Sequence, residues 1–197
     1  MPRRTAKDAA RTREAVLAAA RAAFTEQGFA GSSTAGIARR AGVTEGALFH
    51  HFPSKALLFR EVFVALEDEL NRHAQAASRE GEPMAAFLAG CHASMDFYRR
   101  PDFMRIVMLE GPIVLGDAGW REMDSSLGLD TVVRGVRNIA GPARLSRAEA
   151  KPIAVLVFGA LNELGFALAR GEADLDIDTS LRHLERMLRA LLAPYDA

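Results

Sequence analysis

Cysteine is nearly absent: Cys91 is the only one in 197 residues. A lone thiol cannot close an internal disulfide or supply a zinc cluster, and it gives no sign of an oxidising compartment. Long apolar runs are missing as well. No stretch of eighteen apolar residues occurs, and the most apolar segment, 153–169, is interrupted by Asn162 and Glu163, so no membrane span is expected. The opening residues, MPRRTAKDAARTRE, are polar and basic and lack the apolar core of a secretory signal, so the expected location is the cytoplasm. Alternating strand patterns and Asn-Gly hairpin turns are absent. So are the HExxH and Walker lysine patterns. Cys91 and His92 are neighbours pointing in different directions, so they make no nucleophile–base pair. No cluster has metal-ligand spacing, and neither a metal, a cofactor nor an enzyme activity is expected. Net charge is absent too, with 25 basic and 25 acidic residues. Taken as a total, that balance argues against a nucleic-acid binder.

The distribution of charge reverses this impression. Residues 1–60 carry ten Lys or Arg and four Asp or Glu, a net of +6, which leaves −6 for residues 61–197. Such asymmetry fits a front part that meets a polyanion, or simply an unevenly charged solvated surface.

The chain is rich in Ala, Leu, Arg and Glu, which favour helix. The first helix is expected over 8–27, with Val16, Leu17, Ala20 and Phe24 on one face and Gly28 ending it. A short helix follows Ser32 or Ser33, carries Ile37, Ala38 and Ala41, and stops at Gly42. Thr44 caps a third helix from Glu45 to about His51, its hydroxyl accepting from a free amide. Ser54 caps a fourth, to about Ala77, with Leu57, Leu58, Val62, Phe63 and Leu66 inward. Further helices are expected over 84–99, 102–110, 148–169 and 178–193, the last with Leu181, Leu184, Met187, Leu188, Leu191 and Leu192 inward. The segment 113–140 reads as less regular because of its glycines. His92 and Asp96, four apart, are expected to pair.

Residues 33–52 are the informative stretch. Two very short helices join through a tight glycine turn, and Ile37, Ala38, Val43 and Leu48 can lock them together. That is a helix-turn-helix, whose second helix can enter a DNA major groove. The pieces FTEQGF (24–29), Ser32, Ser33, Ile37, Ala38, AGVT (41–44), GALFHHF (46–52), Ser54 and Lys55 resemble the N-terminal domain of the TetR family of bacterial regulators, over about residues 10–63. The segment GPIVLG (111–116) followed by Trp120, Arg121 and Glu122 resembles rear domains of such regulators. Thr34 stands where an apolar residue is usual, Gly36 lies inside a helix, and Phe49 replaces a common tyrosine.

The resemblance implies an all-α fold: a three-helix DNA-binding domain in front and a larger helical effector-binding and dimerisation domain behind. The expected division is a flexible tail over 1–8, the DNA-binding domain over 9–53, a connecting helix over 54–77 and the rear domain over 78–197. It further implies a homodimer on a palindromic double-stranded DNA operator, most simply a repressor released by a small hydrophobic molecule. Ser33, Thr34, Thr44, His50, His51 and Lys55 match positions at the DNA backbone. Glu45, Gly46 and Ala47 match positions facing base edges, and Phe49 lies among them with packing as its alternative role. For the effector pocket the candidates are Phe87, Cys91, Met95, Met104, Met108, Trp120, Met123, Asn162, Glu163 and Phe166. Asn162 and Glu163 are the polar anchors, with a dimer-interface hydrogen bond as the alternative. For the dimer interface they are Val155, Phe158, Gly159, Leu184, Leu188 and Leu191. A helical adaptor that binds only protein, and an activator of the same fold, are the competing readings.

Overall fold

The computed structural model describes residues 6–172 and 174–193, and every regular element among them is helical. The elements are α1 (Ala6–Gly31), α2 (Thr34–Arg40), α3 (Glu45–His51), α4 (Lys55–Ala77), α5 (Pro83–Tyr98) and α6 (Pro101–Phe103). A π-helical stretch (Met104–Glu110) follows, then α7 (Gly111–Leu115), α8 (Asp117–Ala140), α9 (Arg147–Arg170) and α10 (Ile177–Leu192). Of the tail expected over 1–8, residues 1–5 lie outside the described residues, and 6–8 form the first turn of α1 rather than a flexible segment.

The chain packs as two units, Met1–Leu66 with Pro101–Trp120, and Glu67–Arg100 with Arg121–Ala197. In the first, α1 buries Val16, Ala20 and Phe24, α4 buries Leu58, Phe59, Val62, Phe63 and Leu66, and α2 and α3 contribute Ile37, Ala38 and Leu48. Phe59 sits edge-on to Phe24 and Phe29 at centroid distances of 5.3 and 5.4 Å, the favoured arrangement of aromatic quadrupoles. Leu57, expected inward, is 43% exposed because it lies at least about 100° around α4 from Leu58 and Val62.

The segment after Pro101 belongs to this unit. Its wide π-turn leaves one carbonyl without its usual helical partner. In that register the carbonyl of Val107 would accept from the amide of residue 112, and Pro112 has no N–H. The indole Nε1 of Trp120 donates to Val107 O instead, at 3.0 Å. Trp120 is thereby 2% exposed and part of this core.

In the second unit, α9 opens with a reciprocal cap: Ser146 Oγ accepts from Glu149 N, and Glu149 Oε2 accepts from Ser146 N. It ends at Gly171 in the left-handed conformation. On α10, Leu181, Leu184, Leu188 and Leu192 are buried at helical spacing. Met187 and Leu191, expected inward with them, are 43% and 37% exposed. The segment expected to be irregular is two helices, α7 and the 24-residue α8, divided at Gly116. Gly128 and Gly135 do not break α8, because each receives a phenyl ring: a Cβ would lie 2.7 Å from the Phe158 ring at Gly128 and 2.3 Å from the Phe87 ring at Gly135. His92 faces Asp178 at 3.7 Å rather than Asp96, which pairs with Arg99.

Candidate functional site

The helix-turn-helix is assembled by two caps and a small core. Ser33 Oγ accepts from Gly36 N at 3.0 Å, and Thr44 Oγ1 accepts from Ala47 N at 3.2 Å, so both short helices start on a satisfied amide. Gly42, at φ 70°, makes the turn between them. Leu48 and Phe52 are buried behind α3. That leaves Thr44, Glu45, Gly46, Phe49 and His50 exposed, with Ala47 and His51 half-buried. Phe49 is 42% exposed, so it is not absorbed into the core. A Cβ at Gly46 would meet nothing within 4 Å, so no packing inside the chain demands a glycine there. Half-buried Thr34 donates to Glu45 Oε1 at 2.5 Å and ties α2 to the start of α3.

Lys55, expected at the DNA backbone, is engaged within the chain. Its ammonium donates to the carbonyls of Phe29 at 2.7 Å and Ser32 at 2.9 Å, and lies 4.3 Å from the centroid of the Phe29 ring. It holds the carbonyl end of α1, where the chain turns toward α2. Gly28 kinks that end at φ 76°. Two side chains from the π-helix close on the same kink. Glu110 accepts from Phe29 N at 2.7 Å, and Arg105 donates to Thr25 O at 3.2 Å. Further back on α1, Arg21 forms an ion pair with Asp102 at 2.7 Å.

The second unit contains a half-open cavity of about 560 Å³. Three helices present stripes at three- and four-residue spacing: Glu67, Leu70, Asn71 and Ala74 on α4; Phe87, Gly90, Cys91, Ser94 and Tyr98 on α5; Asp124, Gly128, Thr131, Val132 and Gly135 on α8. Phe158 and Leu161 add part of α9. Glu67 and Asp124 are 2% and 6% exposed. The amide of Asn162 donates to Asp124 Oδ2 at 2.5 Å, and its carbonyl accepts from Tyr98 at 3.4 Å. Among the described residues, Glu67 Oε1 is the buried side-chain polar atom without a hydrogen-bond partner. Burial, then the charges of Asp124 and Asp68, push the Glu67 carboxyl well above the usual carboxylate range. Burial raises Asp124 to about 6, against the opposing hydrogen bond from Asn162 and the charge of Arg121. Burial also pushes the Cys91 thiol up to about 12, so it stays protonated.

Of the expected pocket residues the cavity brings together Phe87 and Cys91. Met104, Met108 and Trp120 belong to the first unit, where Met108 and Trp120 are core. Met95 is also core, at 1% exposure. Met123 and Phe166 are half-buried outside the lining. Asn162 lies behind the lining and orients Asp124. Glu163 is exposed and paired with Arg170 at 2.8 Å, so it cannot anchor a ligand inside. Glu67, Asp124 and Tyr98 were not anticipated. A signal existed in the acid at 67, which shares one face of α4 with Phe63, Leu66 and Leu70. Of the expected interface residues, Leu184 and Leu188 are buried within the unit and Phe158 lines the cavity, whereas Val155, Gly159 and Leu191 are exposed.

A capped helix-turn-helix with an open reading helix, followed by a helical unit that contains a cavity, defines a class of DNA-binding regulatory proteins. The chain belongs to the TetR family: residues 16–62 match the family of bacterial regulatory proteins of that name, and 84–192 match the tetracyclin repressor-like C-terminal domain. It is 39% identical over 82 residues to the transcriptional regulator TtgR of Pseudomonas putida, covering 42% of this chain and 39% of that protein. It is 47% identical over 60 residues to the transcriptional repressor BepR of Brucella suis, covering 30% and 29%. The chain thus spans about two fifths or less of the length of these curated relatives. A solved TetR-family regulator from Pectobacterium atrosepticum superposes with a TM-score of 0.80 at 29% identity, covering 95% of this chain and 97% of that one. One described helix, α9, is long and apolar enough by length and composition to cross a membrane, with a mean hydropathy of 1.8. It lies inside the stretch matched by the C-terminal domain of the family.

Proposed function

We propose that this chain is a sequence-specific DNA-binding transcriptional regulator, a repressor that leaves its operator when a small, largely apolar molecule fills the cavity of the second unit. The open front of α3 carries this reading. Gly46 costs helix stability, about 1 kcal/mol relative to Ala, yet nothing in the chain packs against it. A partner approaching from outside gives the glycine a purpose, and a major groove next to Glu45, Gly46 and Ala47 is that partner. Ser33, Thr34, Thr44, His50 and His51 flank it as contacts to phosphate. The chain acts by binding rather than by catalysis, in the cytoplasm, as a homodimer on a palindrome. The domain bounds we adopt are 9–53 for DNA binding, 54–77 for a connecting helix whose second half lines the cavity, and 78–197 for effector and dimer, with 101–120 packed in the first unit.

Ligand binding releases DNA only if the cavity takes the ligand more tightly in the conformation that misfits the operator. The direct test is selection from a random duplex library by the full chain, followed by anisotropy titration of the enriched sequence. A palindromic site is expected, with Gly46→Glu abolishing its preference over random DNA. Enrichment of no sequence would overturn the reading.

A further inference from the structure

The effector reading leaves a question of charge. A cavity for a purely apolar molecule has no use for two buried acids, one of them with an unpartnered oxygen. Glu67 Oε1 is buried without a hydrogen-bond partner, and Glu67 lines the cavity at 2% exposure. Leaving such an atom unpaired is costly, and native structures rarely tolerate it without a functional reason. Asp124, on α8, also lines the cavity, and one of its oxygens accepts from the Asn162 amide. Between and beyond these acids the walls are apolar. Ring edges of Phe87 and Phe158 fill the gaps that Gly135 and Gly128 leave on α8. The exposed part of the lining carries the opposite charge, at Arg79 and Arg134.

We infer that the effector is an apolar organic cation, an aryl- or alkyl-substituted ammonium, whose positive charge is held by Glu67 and Asp124 while its hydrocarbon body packs against Phe87 and Phe158. The inference rests on the effector-cavity reading above and specifies its ligand. In the empty cavity burial favours the protonated form of both carboxyls, and the charge of Asp124 pushes Glu67 further up. A ligand that brings a positive charge offsets this cost and lets the acids ionise, while its hydrocarbon body meets the apolar lining. A bare divalent metal ion is a poorer match: two carboxylates fall short of the six or more oxygens such an ion collects.

The groups facing the pair are few. Asp68 on α4 raises Glu67 further, Tyr98 and Cys91 on α5 stay protonated near neutrality, and Arg121 on α8 draws Asp124 down. From α9, the lining residues Phe158 and Leu161 do not ionise. Binding of the cation therefore releases protons, and its affinity rises with pH through the range near 6 where Asp124 titrates.

The test is calorimetric titration of the full chain with three probes of one skeleton: (4-phenylbutyl)trimethylammonium, the uncharged isostere with carbon in place of nitrogen, and 5-phenylvalerate. The cation is expected to bind about tenfold or more tighter than the isostere at pH 8, a difference of ~1.4 kcal/mol. That preference shrinks at pH 5.5. Glu67→Gln, close in shape, loses about tenfold of cation affinity and keeps that of the isostere within about twofold. Asp124→Asn gives a second, independent loss should the first variant fold poorly. Equal or tighter binding of the isostere or the carboxylate, cation binding indifferent to both substitutions, or no binding of any probe overturns the inference. Anisotropy with operator DNA separates the two levels. A chain that binds its operator but not the cation keeps the regulator reading alone. A chain that prefers the cation but binds no duplex keeps the cation site alone.

Discussion

At the scale of single residues, Lys55 and Glu67 show how position redirects a charged side chain. Lys55 spends two donors on the carbonyls of Phe29 and Ser32 and covers the Phe29 ring. Hydrogen bonds from a charged donor contribute about 1.5–3 kcal/mol when buried, and this lysine is only half-buried, so Lys55→Ala should cost about 1–2 kcal/mol of stability. Urea unfolding followed by circular dichroism measures it. Operator affinity should fall along with stability, while the slope of affinity against salt stays as in the wild type. A variant of unchanged stability whose slope flattens by about one would restore the phosphate-contact role. Glu67 predicts a pH effect. The folded chain keeps protons on Glu67 and Asp124 at pH values where the unfolded chain has lost them. Unfolding in that range releases protons, so stability falls as pH rises from the ordinary carboxylate range through about 6, the value of Asp124. Glu67→Gln cannot ionise. Its melting temperature relative to wild type should therefore climb between pH 5 and pH 8, and a constant offset across that interval would contradict the assignment.

Among the elements, the junction after α1 is the most heavily tied. Gly28 supplies a positive φ, Lys55 holds the carbonyls, and Glu110 and Arg105 reach in from the π-helix. Gly28→Ala is strained twice: its φ of 76° disfavours a Cβ, and that Cβ would stand 2.3 Å from Glu110 Oε1 and 2.8 Å from Arg105 Nη2. We expect a loss of at least about 1–3 kcal/mol, the cost of holding a non-glycine residue in a region of positive φ and extended ψ that glycine alone populates. Glu110→Ala, by contrast, should speed hydrogen exchange at the Phe29 amide, the group it accepts from, and weaken operator binding. Exchange at that amide unchanged from wild type would show that the clamp does not hold the junction. Much of this architecture was legible in the sequence. The two caps, Ser33 and Thr44, and the helix ends at Gly42 and Gly171 are local signals that no distant residue overrides. The unread parts depend on distant partners. Nothing near Gly128 or Gly135 announces that Phe158 and Phe87 fill the space above them, so glycines inside a 24-residue helix read as breaks. Trp120 and Met108 read as pocket residues for the same reason, since composition cannot tell a wall from a core. The cavity's acids were hidden because an acid on an α4 face otherwise lined by Phe63, Leu66 and Leu70 has no local meaning until α8 brings Asp124 to the same cavity.

The whole molecule joins a basic front to two incompletely covered helices. The net +6 of residues 1–60 is doubled in a dimer, so operator affinity should fall steeply with salt as neutralised phosphates release counterions. On α9, Pro152, Val155, Leu156, Gly159 and Glu163 are exposed at three- and four-residue spacing, and Leu156 is 57% exposed. On α10, Met187 and Leu191 are 43% and 37% exposed. Only 28% of the apolar window of α9 is buried within one chain. Apolar stripes on adjacent helices favour association, and Gly159, with nothing within 4 Å of its Cβ position, lets a second helix approach closely. We expect these stripes to meet their copies in a homodimer burying roughly 2,000 Å² or more, the range of obligate interfaces. Leu156→Arg places a charge in the middle of that surface while leaving the buried leucines of α10 untouched. Sedimentation at micromolar concentration should show a dimer for the wild type and a monomer for the variant, with circular dichroism unchanged. The monomer should also lose most of its affinity for a palindrome while keeping weak, salt-sensitive binding to a single half-site, because one reading helix still finds its groove. A wild type that sediments as a monomer, or a variant that remains a dimer, would mean that this face is covered by something other than a second copy.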